Sequence, residues 1–194
     1  MNLSFLRLAA FPVAAFALIV LASNILVQYP VHYFGLEQML TYGAFSYPIA
    51  FLITDMTNRH FGAPMTRRIV GIGFVIAVIL SLIFATPRIA LASGLAFLIA
   101  NLLDVQIFDR LRDKAWWLPP LGSSVISSAL DTLLFFSIAF MGVEAMSMPV
   151  DLFGFSAPLW VSLGLFDYLI KLGMAALMVL PYGALLPFVR PAHS

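Results

Sequence analysis

The stretch Pro158-Leu-Trp-Val-Ser-Leu-Gly-Leu-Phe-Asp167-Tyr-Leu-Ile-Lys171-Leu-Gly-Met-Ala-Ala-Leu-Met-Val-Leu180 decides the class of fold. It holds two charges, Asp167 and Lys171, in an otherwise almost wholly apolar run. A bilayer core about 30 Å thick takes roughly 20 mostly apolar residues as a helix. The rest of the chain has the same character: of 194 residues, 62% are apolar and 10% charged, with mean hydropathy +1.03. An ordinary soluble domain is about 25% charged. Ten basic and nine acidic residues cannot keep the surface of a soluble protein of this size wet. This composition excludes a soluble enzyme, a disordered chain and a nucleic-acid binder, which needs Lys and Arg clustered on a wet face. The absence of cysteine excludes disulfides, thiolate metal sites and cysteine nucleophiles.

Six apolar runs of spanning length follow from the same reading. They extend from Leu8 to Tyr29 (ended by Pro30), Gln38 to Thr57, Arg68 to Thr86, Ile89 to Phe108, from after Pro119-Pro120 to Met141, and from Pro158 to Leu180, where Pro181 should kink or end the helix. Thr86-Pro87-Arg88 is the one break between the third and fourth runs, so that pair reads as a tight helical hairpin. Arg7 before an apolar run resembles a signal peptide, but the run is long and five more follow, so it reads as an uncleaved first helix. Lys and Arg set the orientation. With the N-terminus in the cytoplasm, Arg7, Arg59, Arg67, Arg68, Arg110, Arg112, Lys114 and Arg190 lie inside and Arg88 alone lies outside. Glu37, Glu144 and Asp151 fall outside, and Tyr29 and Trp116-Trp117 sit where an aromatic belt belongs. The expected architecture is an all-α, six-helix membrane bundle with both termini cytoplasmic, residues 1–194 forming one transmembrane domain.

Charges inside a membrane are costly, roughly 2.5–3.5 kcal/mol each on insertion scales. At 1.5 Å rise per residue, Asp131 lies roughly 17 Å from the start of the fifth helix and Asp167 roughly 13 Å from that of the sixth, with Lys171 one turn on. These three share the middle of the bilayer, two acids to one base, while Asp55 and Asp104 belong to its inner third. Asp167 and Lys171 stack on one face and could merely neutralise each other. Asp131 leaves one carboxylate over, which must be protonated, solvated or paired with a ligand. Polar faces recur at helical spacing: Ser124, Ser127, Ser128, Asp131 with Phe135; Phe97, Asn101, Asp104, Phe108; Tyr47, Phe51, Asp55, Asn58; and Asn24 with Gln28. Together they point to one internal cavity suited to a flat, hydrogen-bonding ligand. Asp55 and Arg59, four apart, read either as an interfacial ion pair or as an inner gate.

Searches for catalytic chemistry return nothing. There is no His-Glu-x-x-His zinc motif, and His32, His60 and His193 fall in loops or the tail, so no metal site is expected. Gly71-x-Gly73 lacks the strand and third glycine of a nucleotide fingerprint, and no Walker motif is present. No cofactor is implied.

Several segments resemble the queuosine precursor transporter (VUT) family. They are Thr41-Tyr-Gly-Ala-Phe-Ser-Tyr-Pro48, then Phe51-Leu-Ile-Thr-Asp55-Met-Thr-Asn-Arg59-His-Phe-Gly62-Ala-Pro-Met-Thr-Arg67-Arg68, Asp104-Val-Gln-Ile-Phe-Asp-Arg-Leu-Arg112, Trp116-Trp117-Leu-x-Pro, Ser124-x-x-Ser-x-x-x-Asp131-Thr-x-x-Phe-Phe136, and Asp167-Tyr-x-x-Lys171 with Pro181-Tyr182. The resemblance runs from Ser23 to Leu185, and the loop before the sixth helix departs from it most. It implies a multi-pass importer in the bacterial inner membrane for 7-cyano- or 7-aminomethyl-7-deazaguanine. A carboxylate can accept two adjacent N–H groups of a guanine-type edge, and an aminomethyl group would pair with a second acid.

The resulting expectation is a substrate site of Asp131, Asp167, Lys171, Asn24, Gln28, Asn101, Asp104 and Phe135, with Asp55 and Arg59 as inner gate. Its partners would be a small-molecule 7-deazaguanine and membrane lipid, not nucleic acid, with homo-oligomerisation left open. Competing readings are a vitamin-binding membrane subunit served by a separate ATPase, a membrane enzyme using Asp131 and Asp167 as acid and base, and a structural subunit with neutralised charges.

Overall fold

A computed structural model describes residues 3–33, 40–84, 86–152 and 154–189. Expectations placed on Glu37, Gln38, Arg190 and His193 fall outside the described residues, as do the side chains of Arg7 and Tyr47. The described helices are α1 (Leu3–Leu26), α2 (Gly43–Phe61), α3 (Ala63–Phe84), α4 (Pro87–Leu111), α5 (Leu118–Phe140) and α6 (Leu159–Leu185). Four of them, α1, α4, α5 and α6, are long and apolar enough to cross a membrane. The side chains are distributed inside-out for a protein in water. Ser, Thr, Asn and Asp fill much of the interior, while Phe11, Ile83, Leu133, Leu180 and Phe188 project outward. This is an all-α membrane protein, with one small β-hairpin added.

Several boundaries differ from the sequence expectation, each for a local reason. Helix α1 stops at Leu26, short of Pro30, because Val31 and Leu40 join backbones, and Pro30 bridges to Thr41. Helix α2 runs on past Thr57 to Phe61, and Gly62 turns the chain directly into α3. Its φ of 78° is one that a side chain disfavours, and its N–H donates to the Asn58 carbonyl. Helix α5 begins at Leu118 and includes Pro119 and Pro120, since first-turn N–H groups need no helical partner. Helix α6 continues through Pro181 to Leu185 rather than ending at Leu180. In membrane helices, neighbouring helices and local backbone adjustment can re-satisfy the groups a proline frees. The α3–α4 hairpin is as tight as expected, with Thr86 capping α4 by accepting from Ile89 N–H at 3.4 Å. The loop before α6 contains an antiparallel hairpin, β1 (Pro149–Leu152) and β2 (Phe155–Pro158), in which Pro149 faces Pro158. Gly154, at φ 87°, closes its turn by donating to Asp151 Oδ1 at 2.7 Å.

Lipid is as apolar as leucine, so close packing and polar links hold the helices together rather than water exclusion. Buried small residues on α4, Ala92 and Ala96, meet Phe135, Phe136 and Ala139 of α5 in the most extensive helix pairing. Phe16 of α1 stacks at 4.9 Å on Phe97 of α4, with Val20, Ala50, Val70 and Ala77 around them. At the opening of α2, a Cβ on Gly43 would lie 2.9 Å from Val27 Cα, so glycine permits the approach of these two backbones. Polar links tie α1 to α2 (Ser23 to Ser46, 2.8 Å), α2 to α4 (Thr54 to Asn101, 3.0 Å) and α2 to the end of α4 (Arg112 to Asn58 Oδ1, 2.8 Å). Such links average about 0.6 kcal/mol each in membranes. Arg88 donates to the Ile138 and Met141 carbonyls, joining the start of α4 to the end of α5. Arg112 and Arg88 thus mark opposite ends of the bundle.

Candidate functional site

Helices α5 and α6 pack with their polar faces together, and the three mid-span charges meet there. Lys171 Nζ lies 2.9 Å from Asp131 Oδ2 and 2.6 Å from Asp167 Oδ2, with all three side chains at most 6% exposed. Thr132 completes the group: its hydroxyl donates to Asp167 Oδ2 at 2.8 Å and accepts from Lys171 at 3.1 Å. All three ammonium protons therefore have acceptors. Asp167 is held by Lys171 and Thr132, whereas Asp131 has Lys171 alone as its described bonding partner. Thr132 was not singled out as a site residue from the sequence. Its signal is present: Ser124, Ser128 and Thr132 form an i, i+4 series on the face that carries Asp131.

A small cleft opens beside this group, lined by Pro48, Phe51 and Asp55 of α2, Ser124 and Ser128 of α5, and Lys171 of α6. Its volume is about 10 Å³, enough for about one water molecule. Ligand pockets are typically about 300–1,000 Å³, so α2, α5 and α6 must part before a two-ring ligand can enter. Larger hollows of about 330 and 500 Å³ open on the outer surface of the bundle and are almost entirely apolar. The first reaches Thr132 and Gly164 between α5 and α6, and the second lies between α1, α2 and the end of α6.

A second acidic centre lies toward the end marked by Arg112. Asp55 of α2 and Asp104 of α4 face each other, with Ser123 and Ser127 of α5 beside Asp104. Asp55 Oδ1, both Asp104 oxygens and Ser127 Oγ are buried without a hydrogen-bond partner. Asp55 forms no ion pair with Arg59 among the described residues, and Arg59 Nε is likewise unpartnered. The expected i, i+4 pair gives way because Asp55 turns inward toward α4. Arg112 is committed to Asp109 and Asn58, and its guanidinium lies 5.9 Å over Phe108. Tyr182 packs edge-on against the same ring at 6.2 Å and closes this layer.

The other expected site residues lie elsewhere in the bundle. Asn24 bonds Ser93 of α4, and Gln28, exposed beyond the end of α1, donates back to the Asn24 carbonyl at 3.0 Å. Asn101 bonds Thr54 and its own helix. Phe135 sits in the apolar cluster with Phe136 (5.1 Å), Val27, Ala96 and Leu163. Asn24, Asn101 and Phe135 join helices, and none of these four lines the small cleft; of the expected site residues, Lys171 and Asp55 do, while Asp131, Asp167 and Asp104 stand behind its wall.

The sequence that builds this bundle matches a known family over most of its length. The family described as "Putative vitamin uptake transporter" matches residues 41–86 and 82–185. The chain belongs to the VUT family of queuosine precursor transporters. It is 36% identical over 191 residues to the queuosine precursor transporter of Escherichia coli K12, covering 87% of this chain and 82% of that one. It is 35% identical to a probable queuosine precursor transporter of Haemophilus influenzae, covering 75% and 68%. To a probable queuosine precursor transporter of Bacillus subtilis it is 29% identical, covering 82% and 76%. No solved structure gives a significant match. As a VUT member the protein is a membrane transporter.

Proposed function

We propose that this VUT protein imports 7-deazaguanine precursors of queuosine, the 7-cyano form, the 7-aminomethyl form or both, across the bacterial inner membrane. It would do so as a single six-span bundle with both termini cytoplasmic. The names of its relatives support the substrate class, and the eight-to-one distribution of bases in the sequence supports the orientation.

One observation carries the site: Lys171 is shared by two buried carboxylates. One ammonium neutralises one of them, so the group has an acid to spare. Asp167 is anchored by Thr132 as well, which makes Asp131 the carboxylate that a ligand can recruit. With the helices parted, Asp131 accepts the two adjacent N–H groups of the guanine-type edge, and Lys171 remains with Asp167. Phe51 and Pro48, on the same cleft, offer faces for the flat ring. Entry and exit then require the cleft to open alternately to either side, with Asp55, Arg59 and Asp104 controlling the inner one.

The test is uptake of each precursor by cells unable to make either, read as queuosine in tRNA. Asp131→Ala, at membrane levels equal to wild type, should lower uptake at least about tenfold, a loss of about 1.4 kcal/mol or more of ligand interaction. Unchanged uptake by that variant would overturn the assignment.

A further inference from the structure

The Asp131–Lys171–Asp167 group accounts for one set of buried charges. The facing acids Asp55 and Asp104 are not accounted for by it. Both are at most 2% exposed, and three of their four oxygens lack a hydrogen-bond partner. A buried hydroxyl stands at the same place: Ser127 on α5 is fully buried and lies beside Asp104, yet falls short of full hydrogen-bond geometry to it. Buried polar atoms are rarely left so, and four together mark a place where something small is held.

The neighbouring charges limit what that species can be. Lys171, across the cleft on α6, is fully occupied by Asp131, Asp167 and Thr132. Arg112, at the end of α4, is bound to Asp109 and Asn58. Arg59, on α2, makes no ion pair with Asp55, and Tyr182 on α6 offers a neutral hydroxyl. Two carboxylates in contact, out of water and without a cation, cannot both be charged. A metal ion is a poor occupant, because hard cations take six or more oxygens and the helix carbonyls here are engaged in backbone bonds. No group of three or more His, Asp or Glu side chains converges among the described residues. A proton needs two facing carboxyl oxygens, and this pair supplies them.

We propose that Asp55 and Asp104 form a second site, distinct from the ligand-reading group, which holds one exchangeable proton that moves inward with the ligand. Asp55 lies on the cleft that also exposes Lys171, so parting α2 from α5 and α6 opens both centres to the same water. When the cleft faces outward, the pair takes up one proton. With the proton held, the acids tolerate burial and the cleft can close. When the cleft faces the cytoplasm, the O–H bond breaks, the proton leaves to water, and the charged pair keeps that side hydrated until the ligand departs. One proton enters per ligand, and the coupling rests on the transport reading above. The proton itself does not.

The experiment therefore has two arms. In the first, the purified protein in lipid nanodiscs is examined by infrared spectroscopy at pH 7 without ligand. The expected result is a protonated-carboxyl C=O band with a component that is shifted or lost in Asp104→Asn, an isosteric change, and retained in Asp131→Asn. No such band in the wild type, or one that ignores Asp104→Asn, overturns the proposal. In the second, wild-type proteoliposomes receive labelled 7-aminomethyl-7-deazaguanine under a one-unit pH gradient, acid outside. One coupled proton raises accumulation up to about tenfold, the factor carried by one pH unit. Ligand entry indifferent to the pH gradient, or driven by a sodium gradient instead, overturns the coupling. No ligand entry at all refutes the substrate assignment, and the infrared arm still decides the proton site.

Discussion

Removing Lys171 separates a structural ion pair from a ligand site. In Lys171→Met, Asp131 and Asp167 lose an ammonium at 2.9 and 2.6 Å while remaining buried, and Thr132 can satisfy only one of them. Deleting one partner of a buried pair costs about 3–5 kcal/mol, because a charge is left without compensation. At about 2–4 °C per kcal/mol for a chain of this size, the melting temperature should fall by roughly 6–20 °C. The triple variant Lys171→Met, Asp131→Asn, Asp167→Asn removes all three charges and keeps the side-chain shapes close. Replacing a whole buried ion triad is often neutral for stability. The triple variant should therefore melt within a few degrees of wild type and still fail to take up ligand. Thermal melting in detergent, followed by size-exclusion chromatography, measures the first half, and the tRNA queuosine readout measures the second. A single variant as stable as wild type would refute the electrostatic reasoning. A triple variant that transports normally would show that the charges serve insertion alone.

Two further outcomes test the packing. Gly43→Ala would press a methyl group to 2.9 Å from the Val27 backbone, which cannot swing aside, so a loss of about 1–3 kcal/mol is expected in the same melting assay. Arg88→Ala should fray the end of α5 by removing its bonds to Ile138 and Met141, seen as faster hydrogen exchange in that turn. Arg88 is exposed, so water replaces the lost donors and the stability cost is about 1 kcal/mol.

Much of the buried charged group was readable from helical spacing, because a period of 3.6 residues assigns faces within a helix. Asp131, Asp167 and Lys171 were placed at one depth by counting turns, and the structure joins them. The same counting grouped Asn24, Asn101 and Phe135 with them, yet these residues stand in other helix contacts. Depth along a helix does not specify rotation about its axis or which neighbour it meets. The Asp55–Arg59 pair failed for a related reason. An i, i+4 spacing makes contact available, but burial against α4 drew Asp55 to Asp104 instead. The hairpin at Pro149–Pro158 went unread because each strand has only four residues, too few for alternation to show.

The sequence by itself determined that this chain lives in a membrane, where its helices lie to within about five residues at each end, and which few charges stay inside. Those follow from apolar length and from the cost of burying charge, which act residue by residue. Only the tertiary structure decided how those charges are shared. It gave Lys171 two carboxylates and Thr132, and left Asp55 and Asp104 facing each other without a cation. That division depends on which helix faces turn toward one another, a property of packing in the whole bundle.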